Sequence, residues 1–598
     1  MSDKRADRRQ GAEDRGRVVV KQVTAPLQPL RLLTRGVRSL FREGPAVAVG
    51  KIRAWRERRT LRVAIPMAPD PEEFRRQRET RFPRDIRVSV IVPLYNTPEP
   101  FLRDMIRSVQ GQSYENWELC LADGSDEAHP SVGEIARACA ESDPRILYRR
   151  LDHNGGISEN TNACLDMATG DYIALFDHDD LLHPSALFEA VTAICERDAD
   201  FVYTDELTFQ SPDVNRVLTI HFKPDFAIDN LRANNYICHL SVFSRALLDS
   251  AGPFRQAYDG SQDHDMILRL TACARRVVHI PKVLYFWRSH PESVASDISA
   301  KEYAVLAGRG AVRDSLATAG MPAEVSSSPA FPALYRIQYP LREKALISIL
   351  VPYEGEPEAL RRCVASVLER TAYDSYEMLI LAREPLPALP ESPRVRVLDT
   401  DSLNEAARQA AGAYYVLLAD KAEVLSPGWL EELLMYAQRE DVAAAGAMLY
   451  GPDDTVRHAG VMLARRDDGT ALYPFFGVRR GAVGYMGRLC YAQNVSAVSG
   501  GCMMVKASAY WEAGGFDEAF GPVCGDVDLC LRLRRAGRLI VWTPYAEMYL
   551  HEDKKSAPQA PEREIALFRA RWTEELEASD PYFPAGLTRV TSDFGVKF

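Results

Sequence analysis

The eleven cysteines form no C-x-x-C pair, are scattered, and are odd in number. Neither a zinc ribbon nor a disulfide-stapled secreted scaffold is expected from them. No apolar run approaches the roughly 18–20 residues of a membrane span, and no apolar signal-peptide core follows the N-terminus. A surplus of positive charge is missing as well. The 73 Lys and Arg against 83 Asp and Glu leave −10, which argues against a nucleic-acid partner. With 46% hydrophobic and 26% charged residues, disordered and fibrous classes are excluded too. What remains is a 598-residue cytoplasmic chain with room for about three or four domains.

The charge is uneven. Residues 1–60 carry a net +10 and the rest −20. Residues 1–25 lack periodicity and read as disordered. Leu30, Leu32, Leu33, Val37, Leu40 and Phe41 then recur near helical spacing among arginines, and Val47, Ile52 and Trp55 do so in a second basic stretch. Such helices suit peripheral contact with an anionic membrane face. The alternative is packing on the folded body with a solvated basic side.

The chain contains a long internal repeat. Val88–Ser125 and Ile347–Glu384 correspond at an offset of 259, with Pro93 on Pro352, Pro98 on Pro357, Tyr114 on Tyr373 and Glu118 on Glu377. Each copy is an apolar run, a turn, an amphipathic helix and a second apolar run, the opening β-α-β unit of a doubly wound sheet. Asn162 and Gly170 match Asn404 and Gly412 at offset 242. Gly252, Asp263, Asp265, Arg269 and Pro281 match Gly515, Asp526, Asp528, Arg532 and Pro544 at offset 263. This period is a duplicated domain, not a solenoid. The expected division is a basic N-terminal region 1–83, a first domain 84–299, a helical and Pro-punctuated connector 300–345, a second domain 346–575 and a tail 576–598.

In open α/β sheets ligands bind at the carboxyl ends of strands. Asp123 stands there, after the strand ELCLA, where a carboxylate can accept the imide N–H of a pyrimidine base; an Asx turn is the plainer alternative. The strand Tyr172–Phe176 runs straight into Asp177, His178, Asp179 and Asp180. Three carboxylates so close repel one another, and a hard divalent cation, Mn²⁺ or Mg²⁺, relieves the repulsion. A third cluster, DGSQDHDMILRL, puts Gln262, Asp263 and Asp265 at the start of a half-buried helix, where capping is the alternative role. FWRSHPES follows, with His290 a candidate metal ligand and Trp287 and Arg288 candidates for phosphate or acceptor.

With VSVIVPLYN, LADGS, LFDHDDLLHP, GSQDHDMILRL and FWRSHPES in order, the first copy resembles family 2 inverting glycosyltransferases of the GT-A fold, in particular bacterial rhamnosyltransferase-like and O-antigen enzymes. The second copy resembles the same family through GGFDEAF, GDVDLCLRLRRAG and TPYAEMYLHE. The resemblance covers roughly residues 85–555. It implies an α/β chain of two tandem GT-A domains behind a basic helical extension. It further implies an inverting, metal-dependent transfer from a UDP- or dTDP-sugar, dTDP-rhamnose if one is named, to a glycan or lipid-linked oligosaccharide. At matching positions Pro93, Tyr95, Asp123, Asn162 and His178 would lie on the nucleotide side, and Asp177 and Asp179 would form the D-x-D pair. Asp263 would be the base, Gln262 and Asp265 would lie near the acceptor, and His290 would complete the metal or diphosphate site.

The second copy departs at the donor side. Asp123 becomes Ala382. Asp177 and Asp179 become Ala419 and Lys421 when the copies are anchored on Gly412, or Asp420 and Ala422 when anchored on Pro427. Asp526, Asp528 and His551 remain. The second domain is thus expected to bind or orient the acceptor; a second transferase and a purely structural partner are the alternatives. Outside enzymes, a glycan-binding scaffold of a polysaccharide assembly complex is the competing reading. A nucleotidyltransferase is disfavoured because no Gly- and Lys/Arg-rich triphosphate loop follows the first strand.

Overall fold

The computed structural model describes residues 17–21, 62–290, 302–328, 331–466, 469–552 and 560–587. The chain forms two compact units, one of residues 1–223, 237–304 and 598, the other of 224–236 and 305–597.

In the first unit, strand β1 (Arg17–Lys21) pairs antiparallel with β2 (Arg62–Pro66). The reading of residues 1–25 as disordered is therefore corrected at this strand, whose RVVVK sequence is β-branched and rich in strand formers. The amphipathic stretches expected between residues 30 and 59 lie outside the described residues.

The body of the unit is a nine-stranded sheet. Its strands are β3 (Val88–Leu94), β4 (Trp117–Asp123), β5 (Ile146–Arg150), β6 (Tyr172–Leu175), β7 (Leu181–Leu182), β8 (Phe201–Gln210), β9 (Val217–His221), β10 (Ser241–Ser244) and β11 (Val277–Ser289), in the order β5-β4-β3-β6-β10-β8-β11-β7 with β9 against β8. β3 runs parallel to β4 and β6, and β10 runs antiparallel to β6 and β8. Every residue of β3 and β4 is buried, as a parallel strand covered on both faces requires. Helix Glu99–Gln110 covers one face through Leu102, Met105, Ile106 and Val109, at the i, i+3, i+4, i+7 spacing of one helical stripe.

The second unit repeats this order strand for strand: 395–398, 376–381, 347–352, 414–418, 502–506, 442–450, 539–550 and 422–424, within a ten-stranded sheet. The letters the copies share have structural causes. Glu118 accepts from Ser89 Oγ at 2.6 Å, and Ser89 Oγ accepts from Gly170 N at 2.8 Å. Glu377, Ser348 and Gly412 repeat the relay at 2.7 and 2.9 Å. A Cβ on Gly170 or Gly412 would lie 2.6 Å from the neighbouring strand, so only glycine fits.

Two expected boundaries shift. Residues Pro224–Tyr236, inside the span assigned to the first domain, belong to the second unit. There the Asp229 carboxylate pairs with buried Arg439 and accepts from Asn494 Nδ2 at 2.7 Å, two fixed partners that hold the segment in place. Residues 576–587 are not a loose tail: Phe583 and Leu587 are buried, and Asp580 accepts from Leu463 N at 2.6 Å. The connector holds helix Glu302–Thr318, then a hairpin of Glu324–Ser327 and Tyr335–Gln338 that periodicity did not indicate.

Candidate active site in the first unit

The acidic turn follows β6 directly, and sheet register decides what faces it. Ser241 at the start of β10 pairs antiparallel with Leu175 at the end of β6. The residues two further out on each chain are Asp177 and His239, and their side chains meet, Oδ2 to Nε2, at 3.2 Å. His239 stacks on Tyr285 at 4.7 Å between ring centroids and meets Trp287 edge-on at 5.7 Å. Burial disfavours a charged imidazole here. Cys238 and Asp177 outweigh that and raise the His239 pKa well above the usual histidine range. Burial likewise opposes ionisation of Asp177, and His239 still holds that carboxyl below its ordinary value.

The neighbouring carboxylates take different roles. Asp179 Oδ2 lies 2.8 Å from His290 Nε2. Asp180 is fully buried, accepts from Tyr285 OH at 2.5 Å and Arg288 N at 2.6 Å, and is pushed well above the carboxylate range by burial and by Asp179 and Asp177. His178 Nδ1 sits 3.0 Å from Thr97 Oγ1, which ties the acidic turn to the loop after β3. Asp177, Asp179 and His290 supply two carboxylates and an imidazole, ligand chemistry suited to a hard divalent cation, but here Asp179 meets His290 while Asp177 turns to His239, so the three do not gather at one point.

Asp263, in the first turn of helix Gln262–Cys273, lies beside this turn through Cys238, whose Sγ donates to Asp263 Oδ2 at 3.4 Å. One ligand atom from each of Cys238, His239 and Asp263 lies within 4.8 Å of the others. Neither Cys238 nor His239 was singled out in the sequence. A polar pair just ahead of a short apolar strand is the sole trace they leave there.

Lys223 supports this corner. Its fully buried ammonium donates to the Ile237 carbonyl at 2.6 Å, the His239 carbonyl at 2.5 Å and Glu206 at 2.9 Å.

Several expected contacts are engaged elsewhere. Asp123 is fully buried; one oxygen accepts from Ser125 N at 2.9 Å, the other from Tyr148 OH and Arg150 Nη1 at 2.8 Å each. Burial would raise its pKa, and these hydrogen bonds instead hold it low. It shapes the turn, where the sequence suggested an open acceptor for a base. Asn162 was expected on the nucleotide side, yet its amide donates to the Phe254 carbonyl and accepts from Phe254 N, both at 2.9 Å; Asn404 does the same with Phe516. Arg288 was a phosphate candidate, but its 2%-exposed guanidinium holds the Asp179 carbonyl at 2.5 Å and stacks over Phe101 and Phe209. Asp265 is buried against Arg255 and Arg269, and Gln262 Oε1 accepts from Gly260 N. Pro93 is buried within β3, whereas Tyr95, just past its end, is 45% exposed.

The second unit settles the ambiguous alignment. Asp180 N donates to the Asp177 carbonyl as Ala422 N does to Ala419, and Leu182 N donates to Ser108 Oγ as Val424 N does to Ser366 Oγ. Leu182 pairs with Tyr285 as Val424 pairs with Met548. The Gly412 anchor therefore holds, and Ala419 and Lys421 replace the acidic pair. Lys421 Nζ is bridged at 3.0 Å by Glu354 and by Glu356, so an internal ammonium stands where the first unit has Asp179. His551 takes the register of Arg288, not that of His290, and pairs with Glu423 at 2.7 Å. Asp528 is held by Arg532, Arg571 and Trp572 as Asp265 is by its arginines. Asp526 is buried, accepts from Gly500 N at 2.8 Å and Val527 N at 2.7 Å, and is raised by burial to about 7. Asp420, in the place of His178, is raised by burial to about 6.

Among the described residues, no helix is long and apolar enough to cross a membrane.

Comparison with known proteins adds a second line of evidence. Residues 89–251 match the family model described as glycosyl transferase family 2, and residues 390–575 match that of glycosyltransferase-like family 2. The chain is 38% identical over 538 residues to the uncharacterized protein y4gI of Sinorhizobium fredii, covering 85% of this chain and 58% of that one. It is 34% identical over 529 residues to the O-antigen biosynthesis protein RfbC of Myxococcus xanthus, covering 85% and 41%. The chain thus spans about half the length of these curated relatives. The solved structure of S. aureus TarS 1–349 is similar at a TM-score of 0.31 and 18% identity over 39% of this chain and 65% of that one, too slight a likeness to argue from.

Proposed function

The chain belongs to glycosyltransferase family 2, with two GT-A units in tandem, and on that premise we propose that its first unit transfers a sugar from a nucleoside-diphosphate donor to a glycan acceptor with inversion. The observation that carries this reading is the meeting of two groups from distant parts of the sequence. Asp177 reaches His239 at 3.2 Å, and the adjacent Cys238 reaches Asp263 at 3.4 Å. The carboxylates suited to a donor diphosphate and the carboxylate suited to a base therefore line one corner.

Inversion is a single displacement at the anomeric carbon, with the acceptor oxygen entering opposite the departing nucleoside diphosphate. Asp263 takes the proton from the acceptor hydroxyl as that oxygen attacks. Tyr95, exposed at the end of β3, offers a face for the base. A divalent cation on Asp177, Asp179 and His290 would supply stabilisation of charge on the leaving diphosphate. Arg288 and Lys223 fix the two loops that carry these groups. The donor is a UDP- or dTDP-sugar, dTDP-rhamnose being the one we name, and the acceptor a lipid-linked or cell-surface glycan; the O-antigen name of the Myxococcus relative supports that class.

The second unit keeps Asp526 but fills its donor corner with Lys421, Glu354 and Glu356, which favours an acceptor-orienting role over a second transfer. Calorimetric titration of UDP and dTDP into the whole chain, with Mn²⁺ and again with EDTA, tests both statements. One metal-dependent site per chain, lost in Asp179→Ala, is expected. Two sites would support a bifunctional enzyme, and no binding of either nucleotide would overturn the transferase reading in favour of a glycan-binding scaffold.

A further inference from the structure

The residues just ahead of β10 and the first turn of helix Gln262–Cys273 bring together a thiol, an imidazole and a carboxylate, a set unlike the oxygen-rich acidic turn beside it. Cys238 Sγ is 3.4 Å from Asp263 Oδ2, and a nitrogen of His239 lies within 4.8 Å of both partners' ligand atoms. Around a tetrahedral zinc ion with bonds of about 2.0–2.3 Å, neighbouring ligand atoms lie about 3.5 Å apart. The Cys238–Asp263 pair already has that separation, and the third ligand, within 4.8 Å of both, needs a shift of at most about 1.3 Å to reach it.

Two independent observations support a built site. His239 is 7% exposed, and while Nε2 faces Asp177, its buried Nδ1 has no hydrogen-bond partner. A buried ring nitrogen without a partner is costly unless something outside the protein takes it. Second, the backbone on either side of Cys238 is pinned by Lys223 through the carbonyls of Ile237 and His239, so the two ligands need not be ordered on binding.

We propose that Cys238, His239 and Asp263 form a binding site for a borderline-soft divalent metal, Zn²⁺ or Co²⁺, distinct in chemistry from the hard-cation set of Asp177, Asp179 and His290. Thiolate, imidazole and carboxylate with one open position is a zinc-type donor set, whereas Mg²⁺ and Mn²⁺ prefer the oxygen ligands. On binding, two protons leave to solvent, one from the Cys238 thiol, which becomes a thiolate ligand, and one from the His239 imidazolium, which becomes a neutral ligand. The metal then occupies Asp263, and Zn²⁺ inhibits transfer by removing the base. That consequence rests on the transferase reading; the site itself does not.

Cobalt absorption on the full chain, freed of metal by chelator and dialysis, tests the site without any sugar transfer. One equivalent of Co²⁺ is expected to give a near-ultraviolet thiolate-to-cobalt band with visible bands of tetrahedral intensity. Both should vanish in Cys238→Ser and persist in Asp179→Ala. Asp263→Asn, which leaves the thiol in place, should weaken Zn²⁺ binding by at least about tenfold in calorimetry. Absence of a thiolate band in the wild-type chain, or a band that survives Cys238→Ser in protein with an unchanged melting profile, overturns the proposal. A Cys238-dependent band accompanied by transfer insensitive to Zn²⁺ would uphold the site and count against Asp263 as the base.

Discussion

His239 Nε2 stands 3.2 Å from Asp177 Oδ2, although 62 positions separate the two residues in the chain. The antiparallel register of β6 and β10 sets this distance, since Leu175 and Ser241 are already paired. An imidazole raised well above its usual range beside a carboxylate held below its own makes the contact an ion pair. Any cation that takes Asp177 must share or displace that partner.

Replacing Asp263 by Asn should lower kcat by about 10²–10⁴-fold, the range for removal of a general base. Nucleotide affinity should stay within about twofold of wild type, because a base proposed to act on the acceptor hydroxyl contributes nothing to holding the diphosphate. Steady-state kinetics together with UDP calorimetry checks both halves. Wild-type rates in Asp263→Asn would remove it from the base role.

Asp179→Ala and His290→Ala should both weaken Mn²⁺ binding, with the carboxylate the stronger effect. Asp179 offers the charge, whereas His290 lies 2.8 Å from it and acts as a second ligand or as its positioner. We expect a loss of at least about a hundredfold for Asp179→Ala and about tenfold for His290→Ala, read from Mn²⁺ paramagnetic resonance with UDP present. Equal affinity in all three proteins would place the cation elsewhere.

Lys421→Met should cost little. Its partners Glu354 and Glu356 have side chains 50% and 59% exposed, so the pairs are screened and contribute about 1 kcal/mol or less. Transfer by the first unit should be unchanged and the nucleotide stoichiometry should remain one per chain. A second nucleotide site appearing in this variant would mean that the ammonium alone was blocking a competent pocket.

Glu206 has a distinct acid signature. Burial disfavours its charge, yet Lys223 brings its pKa down to about 2 from an ordinary 4.5. The folded state therefore holds its proton less tightly than the unfolded chain. This contribution to stability is complete above about pH 4.5 and is lost as pH falls towards 2, amounting to about 3 kcal/mol at full size. In Glu206→Gln the contribution disappears and Lys223 is left buried without its carboxylate, a loss of about 3–5 kcal/mol at neutral pH. Denaturant unfolding from pH 2 to 7 of both proteins checks the sign.

The duplication and the β-α-β openings were legible because buried parallel strands and half-buried helices impose unlike periods on the letters. The acidic turn was legible because a run of carboxylates after an apolar strand is a local pattern. Cys238 and His239 were not, since their partners come from sheet order and register. Arg288, Asp265 and Asn162 misled for a related reason: polar residues next to a site look alike whether they touch a ligand or hold a loop. For Asn162 and Asp265 the repeat carried a hint, since Asn404 and Asp528 keep the same bonds in a unit without the acidic pair. Ser348, Gly412 and Glu377 show that matching letters can come from strand packing alone.

The thirteen residues Pro224–Tyr236, encoded amid the first unit and folded into the second, have a genetic consequence. No single crossover in the reading frame exchanges one unit whole. A breakpoint at 300–345 delivers the second unit without Asp229, leaving Arg439, 2% exposed, with Asp441 as the one carboxylate of its pair of partners. Hybrids joined there should express poorly unless the thirteen residues travel with the second unit. New sugar specificities in such tandem chains are then reached more readily by substitution within a unit than by shuffling units between relatives.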